Sequence, residues 1–160
     1  MKFLSAPWRW DFISNIVGKT KECVFCQAQK LPEEESLVCH RGKDFFVILN
    51  KYPYTTAHLM IVPYEHVDSP EKLPSQKAEE MWELMTRSMG IIKEKFNPAG
   101  FNIGMNLGPA AGAGVKDHIH LHIVPRWRGD ANFMPIIGET RVLSYSIDTI
   151  RKILKKEFKP

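Results

Sequence analysis

Three short apolar runs follow one another early in the chain: Leu37–His40, Phe45–Leu49 and His58–Val62. Each is bounded by turn chemistry, namely Arg41-Gly42-Lys43-Asp44, the polar loop Asn50–Thr56 with Pro53 inside it, and Pro63. Runs of this length between such punctuation predict β-strands. From Ser75 to Phe96 the period changes: Ala78, Met81, Trp82, Met85, Met89, Ile92 and Phe96 recur at helical spacing. This predicts one long helix with those residues on its buried face, the methionines as core and Ser75 as N-cap. Strand patterning returns at Phe101–Asn106 and at His118–Pro125, on either side of the glycine- and alanine-rich loop Gly108–Gly114. A basic amphipathic helix is expected over residues 146–158, burying Ile147, Ile150, Ile153, Leu154 and Phe158. Residues 1–22 read as an N-terminal extension in which Trp8, Trp10 and Phe12 pack on the domain or on a partner subunit. Strands clustered around one long helix, joined by short connections, predict a single antiparallel α+β domain spanning 1–160. A doubly wound parallel sheet needs more crossover helices than the pattern supplies.

Composition changes this picture little. A chain of 160 residues, 44% hydrophobic and 25% charged, has enough material for one real core. The net charge of +4 and pI near 9.0 read as a solvated surface with spare lysines, above all in the tail Arg151–Lys159, with attraction of an anionic small substrate as the alternative; no long basic run of the kind found in nucleic-acid arms is present. No apolar stretch approaches 18 residues, and Arg9 and Asp11 interrupt the apolar N-terminus. The expectation is therefore a cytoplasmic protein with no membrane segment and no nucleic-acid partner. Three cysteines fit a reducing compartment better than a disulfide framework. Cys23-Val24-Phe25-Cys26 is a C-x-x-C pair, a weak zinc signal by itself because two further ligands are needed. Cys39 reads as a small buried residue at a strand edge, and His40 as a surface histidine.

The chemistry concentrates in His118-Ile119-His120-Leu121-His122. Alternate residues of a strand share a face, so the three imidazoles gather on one side and the aliphatics on the other. Aliphatic residues gain by burial, whereas a face of histidines has no packing reason to exist. The outer Cα atoms of such a row lie about 13 Å apart, too far for one zinc ion to take all three rings. A row of imidazoles suits an extended phosphate chain, with the middle ring, His120, as nucleophile and its neighbours donating hydrogen bonds. The loop Gly108-Pro109-Ala110-Ala111-Gly112-Ala113-Gly114 just before it lets backbone approach a phosphate closely, although it matches neither a P-loop nor a dinucleotide-binding fingerprint.

His118-Ile119-His120-Leu121-His122-Ile123-Val124 resembles the signature of the histidine triad superfamily of nucleotide hydrolases and transferases. The likeness runs over roughly residues 20–140, through Asn50-Lys51-Tyr52-Pro53-Tyr54 and His58-Leu59-Met60-Ile61-Val62-Pro63. Phe101-Asn102-Ile103-Gly104-Met105-Asn106 and Trp127–Pro135 are similar to the branch of diadenosine tetraphosphate phosphorylases and dinucleoside polyphosphate hydrolases. The resemblance implies that His120 attacks the α-phosphorus to give a nucleotidyl-histidine, while His122 contacts the phosphate and assists the leaving group. It implies Asn50 at the ribose, and Asn106 with the loop Gly112, Ala113 and Gly114 near the phosphates. Many members carry Gly-Gln-Ser or Gly-Gln-Thr just before the triad, whereas this chain has Gly112-Ala113-Gly114-Val115-Lys116-Asp117, so backbone amides or Lys116 stand in for the usual donor. It further implies a structural Zn2+ on Cys23, Cys26, His66 and His118, and a homodimer joined through an extended sheet.

The expected activity is thus cleavage or transfer of a nucleoside monophosphate, adenine nucleotides foremost, from a dinucleoside polyphosphate. Water as acceptor makes a hydrolase and phosphate a phosphorylase, with Lys116 or Arg126 as candidate phosphate anchors. The competing readings are a nucleotide-binding module with little turnover, a nucleoside phosphoramidase-type hydrolase, and a hydrolase with the histidines on a catalytic zinc. The last is disfavoured because such sites usually add a carboxylate ligand and a general base.

Overall fold

The computed structural model describes residues 22–32, 34–130 and 144–159. The expected extension, Glu22 apart, lies outside the described residues, as do Ala131–Pro135 of the stretch that carries part of the resemblance. The elements in chain order are α1 (Val24–Ala28), β1 (Val38–Arg41), β2 (Phe45–Leu49), β3 (Leu59–Pro63), α2 (Lys77–Phe96), β4 (Gly100–Met105), β5 (Leu121–Arg126) and α3 (Ile147–Glu157). The five strands form one sheet in the order β1-β2-β3-β5-β4, every neighbouring pair antiparallel. The class is α+β.

Both faces of the central strands are covered, which explains why β2 and β3 are apolar throughout instead of alternating. Phe45, Val47, Leu49, Leu59, Ile61, Leu121 and Ile123 join residues of α2 and α3 in the larger core. The opposite pleat, with Phe46, Ile48, Met60 and Val62, packs against Phe25 of α1 in a smaller one. The second face carries the chemistry: Met60 pairs with His122 across β3 and β5.

Helix α2 starts two residues later than the sequence suggests. The amides of Lys77 and Ala78 donate to the carbonyls of Pro74 and Ser75, so the backbone turn closes the helix start and the Ser75 hydroxyl does not cap it. Glu79 and Glu80 in the first turn and Lys93 and Lys95 in the last complement the helix dipole. Its buried stripe is Leu84, Met85, Ser88 and Ile92, flanked by Met81, Met89 and Phe96. Trp82, expected in the core, is 65% exposed, and Ala78 is exposed as well. The stripe centres on Leu84 and Ser88, which turns position 82 outward. At α3 the Ser146 hydroxyl accepts from the Thr149 amide at 3.2 Å, a side-chain N-cap, and Ile150, Leu154 and Phe158 are buried. Cys39 lies buried in the edge strand β1, at a register irregularity opposite β2, and its burial pushes the thiol up to about 12. His40 is no free surface histidine: it stacks on Phe158 at 5.1 Å, and burial lowers its pKa.

Strand β5 begins at Leu121, not at His118. Continuing the register of β3 against β5 would set Pro63 opposite Ile119. Pro63 has no amide proton, and its carbonyl accepts instead from His118 Nε2 at 2.9 Å. The Ile119 amide turns away to the Val67 carbonyl at 2.6 Å. Pairing ends there, and residues 118–120 form a short irregular segment leading into the strand.

Candidate active site and metal centre

The hydrogen bonds around the histidines fix where each proton sits. A carbonyl can only accept, so His120 Nδ1, 2.9 Å from the His118 carbonyl, carries the proton and leaves the lone pair on Nε2. His118 likewise carries its proton on Nε2, toward Pro63, and keeps the lone pair on Nδ1. A third case involves His58, fully buried at the start of β3. Its Nδ1 accepts from the Tyr54 backbone amide at 3.1 Å, with the Asn50 amide group at 3.4 Å from the same nitrogen. The His58 proton is therefore on Nε2, which donates to His122 Nδ1 at 2.9 Å. His122 in turn holds its own proton on Nε2.

These rings form a compact set. His120 and His122 lie 4.7 Å apart edge to face, and Tyr54 packs on both His58 at 4.8 Å and His122 at 6.1 Å. Burial lowers the pKa of His120, and burial together with the neighbouring His120 takes His122 down to about 4. His122 is thus neutral at pH 7, as its place in the relay from His58 requires.

Both rings line a cavity of about 760 Å³ on the α1 side of the sheet. Its volume is that of a pocket for a sizeable organic ligand. Its apolar lining comes from Phe25, Leu31, Leu37, Ile48, Met60 and Val115. Asn50, Lys51, Tyr52, Tyr54, Asn106, Gly112 and Gly114 line it as well, with the two histidines. Such a mixed lining suits a ligand with both an aromatic, weakly polar part and an anionic, oxygen-rich part. Gly112 closes the helical turn Pro109–Ala111 at φ 81°, a conformation that favours glycine. Ala113 does not line the cavity among the described residues. Asn50 is held by its own turn, its side-chain oxygen accepting from the Tyr52 amide at 2.9 Å.

The first triad histidine faces elsewhere. His118 is fully buried, and its Nδ1 lone pair lies 3.3 Å from Cys23 Sγ and 3.7 Å from Cys26 Sγ, while His66 Nδ1 lies 3.3 Å from Cys26 Sγ. The four ligand atoms fall within 4.8 Å of one another. A tetrahedral ion with bonds of about 2.0–2.3 Å has ligand–ligand edges of about 3.3–3.8 Å. Two thiols and two ring nitrogens at these separations make a fitting donor set for a structural divalent metal. Crowding of this kind appears in the raised pKa of Cys26, which burial pushes up and Cys23 pushes further. The Pro63 carbonyl is the outer partner that fixes the His118 tautomer for ligation.

The structure therefore brings His120, His122, Asn50, Asn106, Gly112 and Gly114 to one cavity, and Cys23, Cys26, His66 and His118 to an adjoining cluster. Arg126 does not fit as a phosphate anchor. Its guanidinium is tied up with both carboxylate oxygens of Asp130 at 2.6 and 2.7 Å and with Asn102 at 2.8 Å. Lys116 is exposed and stands outside the cavity lining, where Lys51 is the cation among the described residues. Sequence reasoning missed His58 and Phe25. His58 begins an apolar strand, and only the β3–β5 register, with Leu59 opposite Ile123, shows that it sits diagonal to His122. Phe25 is hidden inside the C-x-x-C pair, yet its ring packs on both His118 at 5.4 Å and His120 at 5.0 Å.

Comparison with known proteins places the chain in a family and matches its fold. The family model described as HIT domain matches residues 32–129. An AP-4-A phosphorylase from Mycobacterium tuberculosis is 41% identical over 134 residues, covering 84% of this chain and 69% of that protein. A bis(5'-nucleosyl)-tetraphosphatase (asymmetrical) from Schizosaccharomyces pombe is 27% identical over 95 residues, covering 59% of this chain and 52% of that protein. Among solved structures, a Zn-bound histidine triad family protein from Mycobacterium smegmatis superimposes with a TM-score of 0.68 at 26% identity, covering 86% of this chain and 93% of that one.

Proposed function

The chain belongs to the HIT domain family, and from that premise we propose that it is an enzyme cleaving dinucleoside polyphosphates such as diadenosine tetraphosphate. The observation that carries the reading is the tautomer of His120: a neutral ring lining the cavity, its proton held by a backbone carbonyl and its lone pair on Nε2. In the proposed reaction Nε2 attacks the α-phosphorus, a nitrogen–phosphorus bond forms, and the bond to the bridging oxygen breaks. The positive charge that develops on the ring is stabilised by the hydrogen bond from Nδ1 to the His118 carbonyl. His122 presents its Nε2 proton to the phosphoryl oxygens or to the departing bridge oxygen. The base rests on the apolar lining of the cavity, Asn50 binds the ribose, and Asn106 with the backbones of Gly112 and Gly114 binds the phosphates. Cys23, Cys26, His66 and His118 hold a Zn2+ ion that adds its binding free energy to folding. Two chains pair through β4, an edge strand with β5 as its one partner among the described residues.

An acceptor then attacks the phosphorus from the vacated side and His120 leaves. Phosphate as acceptor turns diadenosine tetraphosphate into ADP and ATP; water gives AMP and ATP. The 41% identity to a protein named AP-4-A phosphorylase favours phosphate. A bound, oriented phosphate also reaches an effective concentration that outcompetes water. The test is incubation with labelled diadenosine tetraphosphate with and without millimolar phosphate, resolving the products. We expect ADP and ATP with phosphate, and no turnover by His120→Gly, which still binds AMP. AMP and ATP at every phosphate concentration would leave a hydrolase; activity retained by His120→Gly above a few per cent would remove the nucleophile.

A further inference from the structure

Helix α1 and its N-cap have two jobs within six residues. Cys23 and Cys26 face the metal cluster, while Val24, Phe25, Gln27 and Ala28 form a wall of the nucleotide cavity. Phe25 joins the two: it is 5% exposed, and its ring rests on the metal-side His118 and on the cavity-side His120. The segment it touches is gripped from several directions. His118 offers Nδ1 to the cluster, gives its Nε2 proton to Pro63, and accepts the His120 Nδ1 proton on its carbonyl. Ile119 is bonded to Val67, the residue after the ligand His66.

A helix this short does not hold by itself, since nucleation costs more than one turn of hydrogen bonds returns. Cys23 occupies the N-cap without a side-chain cap bond. Among the described residues the helix's ties to the fold include the two thiols in the cluster, the Phe25 ring, the packing of Ala28 on the smaller core and the Gln29 side chain, which donates to the Tyr64 carbonyl at 3.5 Å. Occupation of the cluster therefore fixes the cavity wall and the nucleophile's ring together, and an occupied cavity fixes the wall to which the thiols belong.

We propose that metal binding and nucleotide binding are energetically coupled through Phe25, a positioning residue that ties α1 to His118 and His120. The inference rests on the nucleotide reading of the cavity. Thermodynamic linkage makes the coupling reciprocal: the factor by which metal tightens nucleotide binding equals the factor by which nucleotide tightens metal binding.

The experiment is competition for Zn2+ between the full-length protein and a chromophoric chelator, with and without saturating AMP, a ligand that does not turn over. Wild type, Phe25→Leu and Phe25→Met, two apolar replacements of nearly equal volume and different shape, are compared, each saturated according to its own calorimetric AMP titration. In wild type, AMP should tighten zinc by between about five- and a hundredfold, the span usual for coupled sites. In both variants the effect of AMP should shrink to less than about twofold, while the zinc stoichiometry stays unchanged. Wild-type zinc affinity unmoved by bound AMP would overturn the inference alone. Full coupling retained in either variant would also overturn it, because the link would then run through the fold at large. Failure of AMP to bind zinc-loaded wild type would overturn the nucleotide reading and the inference with it.

Discussion

At the scale of single residues, the site is a chain of proton positions set by backbone groups. Tyr54 fixes His58, His58 fixes His122, and the His118 carbonyl fixes His120. His58→Leu should therefore leave His122 free to exchange tautomers and should lower kcat about 10- to 100-fold with little change in KM, the scale of loss when an outer partner of a functional histidine is removed. His58→Gln, whose amide both accepts and donates, should recover part of that loss. Equal activity of the two variants would place His58 in packing alone. The low pKa of His122, about 4 against about 6.5 for an unperturbed ring, makes a second prediction. The unfolded chain binds this proton more readily than the folded one. The stability linked to His122 is therefore complete above pH 6.5 and is lost as pH falls from 6.5 toward 4. Between pH 7 and pH 5 wild type should lose about 2 kcal/mol more than His122→Gln in denaturant titrations. Nitrogen-15 spectra of the ring should show His122 still neutral at pH 5; a midpoint near 6.5 would contradict the buried relay.

At the scale of elements, α1 and the metal cluster depend on each other. With zinc at about 1,000 times its dissociation constant, binding contributes about 4 kcal/mol, equivalent to about 8–16 °C in Tm for a chain of this length. Elemental analysis should find about one zinc per chain, and Cys26→Ser should lower both the zinc content and Tm. Full thermal stability in protein shown to be free of metal would remove the cluster from any structural role. The elements differ in how far the sequence reveals them. β2 and β3 are legible because burial on both faces leaves unbroken apolar runs. The long helix is legible from its period, but which way Trp82 turns is decided by the tertiary stripe around Leu84 and Ser88. The alternation of His118, Ile119 and His120 reads as strand, yet Pro63 cannot donate and its carbonyl is taken, so the strand starts at Leu121. The same irregular segment separates His118 from the other two rings, a division that geometry on an ideal strand does not contain. Arg126 looks like a phosphate anchor until Asp130, four residues on, is seen to occupy its guanidinium. His58 and Phe25 act through long-range register and packing, which a single sequence does not encode locally.

At the scale of the whole molecule, the two edges of the sheet differ. β1 packs against α3, whereas β4 pairs, among the described residues, on one side only, with β5. Half of β4 is open to solvent: Asn102, Ile103 and Gly104 are exposed, Ile103 to 40%, and Leu107 just beyond it to 45%. An unpaired strand edge carrying exposed aliphatic side chains is a template for another strand, and proteins either block such an edge or use it. β4 carries no proline, no lysine and no inward charge that would block it. Two copies joined edge to edge about a twofold axis would continue the antiparallel order into one sheet of twice the width, closing the assembly at a dimer. In that arrangement Ile103 of each chain lies close to the axis. Light scattering on the eluted protein should give the mass of a dimer at micromolar concentration, and Ile103→Lys should shift it to the monomer through like-charge repulsion beside the axis. Because β4 hands its register directly to β5, which carries His122, the monomeric variant should also lose part of its kcat while it keeps its zinc. A dimer unaffected by Ile103→Lys would move the interface off this edge, and a wild-type monomer at high concentration would show that β4 remains open in solution.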